Sequence, residues 1–121
     1  MKGSLPENQK ASLGRNSEQL AVKYLEKKGY RILRRNFRTK KGEIDVIAED
    51  GPWLVFIEVK ARSSGLFGAP EEAVNLRKQR KIAGAALGYI AMEKTERPVR
   101  FDVIAIGPGG LEHIKGAFET E

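Results

Sequence analysis

The residues best suited to chemistry flank one turn: Asp45 before it, and Glu58-Val59-Lys60 after it. Asp50-Gly51-Pro52 is a strong turn signal between two runs that read as strands. If only Gly51 and Pro52 form the loop, Asp50 opposes Trp53. Counting back then sets Asp45 opposite Glu58 and Glu43 opposite Lys60. Side chains alternate with period two, so these four are expected on one face. Ile44, Val46, Ile57 and Val59 are expected on the other face, in apolar packing. A bulge would shift this register, and Pro is awkward at the second loop position.

Directly opposed residues bring their Cβ atoms to about 4.5–5.5 Å, where two carboxylates repel each other. Something positive should sit between them. Lys60 is one candidate. A divalent cation is the better one, because Mg²⁺ takes one or two carboxylates and keeps waters for a phosphate substrate. The backbone carbonyl of Val59 would complete the protein ligands. Lys60 would then position a water, help deprotonate it, or stabilise charge on a scissile phosphate. The same residues also read as a solvated face with a cross-strand Glu43–Lys60 ion pair.

The elements that must hold these groups follow from periodicity. A loose lead-in over residues 1–10 precedes one domain over 11–121. A helix is expected from Ala11 to Lys28, with Leu13, Leu20, Ala21, Tyr24 and Leu25 as its apolar stripe and Gly29 after its end. Tyr30–Arg38, Glu43–Glu49 and Trp53–Arg62 read as strands, and Ser63–Pro70 as a loop. A second helix opens at Pro70 or Asn75 and runs to about Met92, with Ala73, Val74, Ile82, Ala86, Leu87 and Ile90 as its apolar face. Pro98–Ile106 and a short Leu111–Lys115 strand complete an α-β-β-β-α-β-β order. The second helix is long enough for a parallel crossover, which implies an α/β fold with a mixed sheet flanked by helices.

The 121 residues carry a net charge of +6, and the pI is about 9.7, which favours a polyanionic partner such as nucleic acid. Arg31–Lys41 holds six basic residues and no acid. Arg38, Lys40 and Lys41 near its turn are the expected phosphate contacts, with Arg77, Lys78 and Lys81 on the second helix as a further phosphate track. With no Cys, disulfide scaffolds and thiolate metal sites are excluded. With one His, lone His113, no Ser-His-Asp or Cys-His set can be assembled. No apolar run approaches membrane-helix length and the N-terminus lacks an apolar leader core, so a cytoplasmic protein off the membrane is expected.

Asp45 followed across a turn by Glu58-Val59-Lys60 resembles the PD-(D/E)xK nuclease superfamily, with its restriction-endonuclease-like fold. A closer resemblance is to the YraN-like family of small bacterial proteins, related to archaeal Holliday junction resolvases. Its features here are Gly14-Arg-Asn-Ser-Glu18, Lys28-Gly-Tyr30, Asn36-Phe-Arg38, Gly42-Glu-Ile-Asp45, Phe56-Ile-Glu-Val-Lys60, Gly68, Lys78-Gln-Arg-Lys81 and Arg100-Phe-Asp-Val103. One departure is Ser17, where the family pattern usually has Gly. The resemblance implies a mixed sheet, metal-dependent phosphodiester cleavage and often dimers. It also implies that Asp45 and Glu58 hold the metal, that Lys60 is the catalytic lysine, that Glu18 is a helix-borne acid near the metal, and that Gln79 is a polar residue near the site. The expected activity is a Mg²⁺- or Mn²⁺-dependent endodeoxyribonuclease acting on branched DNA in repair or recombination, and a homodimer would fit paired incisions. The alternative is a non-catalytic nucleic-acid-binding protein acting with a partner.

Overall fold

The computed structural model describes residues 7–62 and 74–119, with side chains described from residue 16 onward. The loop expected at Ser63–Pro70, a helix start at Pro70, and the Leu13 and Ala73 side chains lie outside the described residues. The elements are α1 (Glu7–Lys27), β1 (Arg31–Arg38), β2 (Glu43–Asp50), β3 (Trp53–Ala61), α2 (Leu76–Glu93), β4 (Val99–Gly107) and β5 (Gly110–Phe118). This is the α-β-β-β-α-β-β order read from the sequence. Helix α1 starts ahead of Ala11 and takes in residues 7–10 of the expected lead-in. It ends as expected, with Gly29 at φ +94° closing the C-terminus, where the Tyr30 amide donates to Leu25.

The five strands form one mixed sheet in the order β1-β2-β3-β4-β5. Strands β3 and β4 are parallel, and the other neighbours are antiparallel. Gly51 and Pro52 do form the two-residue loop, with Asp50 paired to Trp53. Gly51 takes φ +59°. A hairpin of the II′ class needs positive φ only at its first loop position, so proline's fixed negative φ fits the second. Strand β5 runs to Phe118, beyond the expected Lys115, because it pairs with Phe101 across a bulge.

The helices cover opposite faces of the sheet. Ala21 and Leu25 of α1 pack on Val46, Ala48, Val55, Ile57 and Ile104. Ile82, Ala85, Ala86 and Tyr89 of α2 pack on Phe37, Ile44, Ile47, Leu54, Phe56, Phe101 and Val103. Two expected core residues stand at the edges of the apolar stripes instead: Leu20 and Leu87 are exposed. Periodicity gives the centre of a stripe, whereas the neighbours present decide its width. Ser17 is buried under α1, and its hydroxyl has no hydrogen-bond partner among the described residues.

Candidate active site

The β2–β3 ladder keeps the expected register from Asp50–Trp53 to Val46–Ile57, then stops. Strand β3 continues, but its pairing beyond Ile57 is with β4 alone, out to Ala61 opposite Ile106. The two strands therefore splay one position before Asp45 and Glu58 would face each other. Asp45 fills the opening: its Oδ2 accepts from the Val59 amide at 2.8 Å, in place of a ladder carbonyl. On the other side of β2, Asn36 takes φ +52° and the β1–β2 ladder skips the 36–45 position. Asn tolerates this left-handed backbone better than most residues.

This kink switches faces on both strands. Phe37 and Ile44 pack under α2, whereas Val46 packs under α1. The expectation that Ile44 shares a face with Val46, Ile57 and Val59 is thus corrected, because it assumed unbroken alternation. Glu58 falls on the α2 side, in line with Leu54 and Phe56, and only 7% of it is exposed. It is no solvated sheet face. Lys60 follows two residues on, half-buried and on the same side by alternation. The Glu43–Lys60 ion pair is also corrected: with the strands splayed, Glu43 instead faces Arg38 across the β1–β2 ladder, at 3.7 Å.

Asp45 and Glu58 stay within interaction range of each other despite the splay. Burial, and then the Asp45 charge, push Glu58 up to about 7. Burial likewise raises Asp45, against the Val59 amide, which favours its ionised form. Among the described residues the nearest countercharge is Lys78 of α2, with Nζ 3.4 Å from Glu58 Oε2. Helix α2 places it there because Asn75 caps the helix, accepting from the Lys78 amide at 2.9 Å.

The other expected site residues divide. Glu18 comes into the electrostatic range of Asp45, and its carboxyl is raised by burial first and by Asp45 second. It is held by Asn36 and by Arg35, at 3.9 Å. Among the described residues, no three acids or histidines converge tightly enough to enclose a cation. Gln79 is near in sequence, but its amide donates to the Val74 carbonyl at 2.9 Å and steadies the entry to α2. His113 lies elsewhere, bonded to Tyr24 and Asp102. Sequence reasoning missed Asn36 and Arg35 as supports of Glu18. An Asn inside an apparent strand was the available signal for the kink.

Beside the acid pair, Arg38, Lys40, Lys41, Lys78 and Lys81 line a cleft of about 330 Å³, with Glu43 as its one acid among the described residues. Five of the six expected phosphate contacts therefore share one surface, and Arg77 is not part of it. The β1–β2 turn is folded by Thr39, whose hydroxyl accepts from the Lys41 and Gly42 amides at 3.0 and 3.3 Å. It sits directly on α2. A Cβ on Gly42 would come within 2.6 Å of the Lys81 carbonyl, and one on Gly84 within 2.7 Å of the Lys41 Cβ. Gly42→Ala is expected to unseat the turn and destabilise the protein by about 1–3 kcal/mol, the usual range for overpacking. Urea unfolding checks this, and an unchanged midpoint would contradict it.

A mixed sheet whose splayed central hairpin presents Asp45 beside Glu58-Val59-Lys60 defines a PD-(D/E)xK nuclease-like protein of restriction-endonuclease-like fold. Residues 17–106 match the profile described as "Uncharacterised protein family UPF0102". A UPF0102 protein of Thermodesulfovibrio yellowstonii is 58% identical over 106 residues, covering 88% of this chain and 95% of the relative. Relatives in Geobacter metallireducens and Thermotoga petrophila are 50% and 43% identical, covering 89% and 84% of this chain and 93% of each relative. The chain belongs to UPF0102, the YraN-like family. No helix among the described residues is long and apolar enough to cross a membrane.

Proposed function

We propose that this chain is a metal-dependent endonuclease that hydrolyses phosphodiester bonds in DNA, with branched DNA in repair or recombination as its substrate class. The observation that carries the reading is the Asp45–Glu58 pair, both raised by burial and Glu58 also by the Asp45 charge, next to a basic cleft. Strongly perturbed acids in a charged cleft are a mark of functional sites. The donor set fits Mg²⁺ or Mn²⁺: two carboxylates with room for water suit a hard cation that stays partly hydrated. Asp45, Glu58 and the Val59 carbonyl would hold it. When bound, the ion would lower the pKa of a water and neutralise charge on the phosphate.

The chain's own residues supply the rest. The Val59 amide fixes Asp45, and Lys60, two residues from Glu58, orients the attacking water and faces the scissile phosphate. Glu18 stands behind Asp45 and adds negative potential. The cleft cations hold the backbone without reading sequence. Two copies of the chain would set two such sites for paired cuts across a junction, in the cytoplasm.

The test is incubation with labelled four-way junction, flap, duplex and single-stranded DNA in Mn²⁺, with Asp45→Asn alongside. Cleavage by the wild type alone is expected. Junction binding with no cleavage by either protein would shift the reading to a non-catalytic nucleic-acid-binding protein acting with a partner. RNA competitors separate the two nucleic acids.

A further inference from the structure

The acid pair and the basic cleft have one residue in common. Lys78 lines the cleft, and its Nζ is also 3.4 Å from Glu58 Oε2. Its charge also acts on Asp45. The two partners differ in freedom. The Glu58 side chain is 8% exposed and fixed on β3, whereas that of Lys78 is 41% exposed on the first turns of α2. A lysine ammonium is a compact charge on a flexible four-carbon stem, so Lys78 can change partners while Glu58 stays in place. Lys81 lines the same cleft one helical turn on.

A divalent cation on Asp45 and Glu58 would take over the countercharge that Lys78 supplies, and would repel its ammonium. The other surface within reach of the side chain is the cleft it already lines, whose other four basic residues outnumber the lone acid Glu43. A displaced ammonium there needs an anionic partner, and a backbone phosphate is the one this proposed substrate carries. We propose that Lys78 is a relay cation: it neutralises the acid pair before metal binds, and afterwards helps the cleft seat a phosphate neighbouring the scissile one. The inference rests on the metal-dependent reading above and adds how the two binding events are linked. Metal at the acids frees a phosphate ligand, and a phosphate in the cleft draws away the competitor of the metal. By linkage, each must strengthen the other by the same factor.

Two binding measurements test this without any turnover. Calorimetry at pH 8 gives Mn²⁺ affinity without DNA. Fluorescence anisotropy of a labelled phosphorothioate duplex, with and without Mn²⁺, gives the linkage. Lys78→Met is expected to tighten Mn²⁺ binding about fivefold, the scale of one partly exposed ion pair. The same change should weaken duplex binding and cut the Mn²⁺ enhancement of duplex affinity by a similar factor. Lys81→Met is the control: it should weaken duplex binding yet leave Mn²⁺ affinity and the enhancement within twofold. Unchanged or weaker Mn²⁺ binding by Lys78→Met, with normal binding by wild type, overturns the relay and leaves the metal site standing. No Mn²⁺ binding by wild type overturns both.

Discussion

Glu58→Gln is expected to abolish cleavage and, at pH 8 without metal, to make the protein more stable by about 1–3 kcal/mol. The carboxyl of Glu58 is pushed from an ordinary 4.5 up to about 7, by burial and then by the charge of Asp45. Between about pH 4.5 and 7 the folded state therefore holds a proton on Glu58 that the unfolded chain has released. A group raised in this way contributes its full stability below about pH 4.5 and loses it as pH rises through about 7. At pH 8 the wild type carries two ionised acids at one site, with Lys78 as the partner of Glu58. Gln resembles the protonated form and has no such titration. Urea unfolding at pH 8 and pH 4 checks the sign: the variant should lead at pH 8 and match the wild type at pH 4. Adding Mn²⁺ should stabilise only the wild type. A variant less stable at both pH values would show that the ionised carboxylate holds the fold together, and would remove the argument for a site kept at a cost.

Much of this arrangement was legible in the sequence. The Asp50-Gly51-Pro52-Trp53 turn fixed the β2–β3 register, because a two-residue hairpin leaves no freedom in how its strands align. The length of the α2 connection implied the parallel β3–β4 pair. What stayed hidden depended on contacts between distant segments. The splay at Asp45 arises because β3 follows β4 to Ala61, a choice that no feature of β2 or β3 records. The exchange of Lys60 for Arg38 as the partner of Glu43 follows from that splay. Lys78 read as one cation of a phosphate track and not as a partner of Glu58, because its approach to Glu58 requires α2 to be docked on the sheet.

The sheet contains a second acid in a comparable backbone setting, and the contrast separates structure from function. Asp102 lies where the β4–β5 ladder is interrupted, as Asp45 does between β2 and β3. Each accepts from a backbone amide across the gap: Gly116 at 3.0 Å for Asp102, Val59 at 2.8 Å for Asp45. Asp102, however, is fully supplied with donors. Arg100 gives it a bidentate pair at 2.9 and 3.0 Å, and His113 Nε2 lies 2.8 Å away. Burial alone would raise its pKa, but these bonds outweigh burial and hold it below the usual carboxylate range. Asp45 and Glu58 are displaced the other way, each by burial first, and Glu58 also by the charge of Asp45. An acid held low by its own neighbours needs nothing further, whereas a pair held high is poised for a cation from outside.

Asp102→Ala should therefore destabilise the protein by about 3–5 kcal/mol at pH 7, the cost of removing one partner from a buried charge network. The loss extends beyond one strand. Arg100 also donates to Tyr30 at 2.7 Å and pairs with Asp50 at 3.0 Å, while His113 Nδ1 is 2.9 Å from the Tyr24 hydroxyl of α1. Asp102 is thus the common acceptor that ties β4 and β5 to the turn end of β2 and to the first helix. Its removal leaves the Arg100 guanidinium largely buried with Asp50 as its one remaining acid partner among the described residues. The pH dependence has the opposite sign to that of Glu58. A carboxylate depressed in the folded state contributes stability above its unfolded pKa and loses it as pH falls through the folded one. The gap between wild type and Asp102→Ala should be full at pH 7 and begin to close only below about pH 4. Urea unfolding at pH 7 and pH 3 measures it, and a loss under about 1 kcal/mol at pH 7 would mean the network is replaceable by water. Mn²⁺ affinity of the folded variant should stay at the wild-type value, because the network shares no residue with Asp45, Glu58 or Lys78.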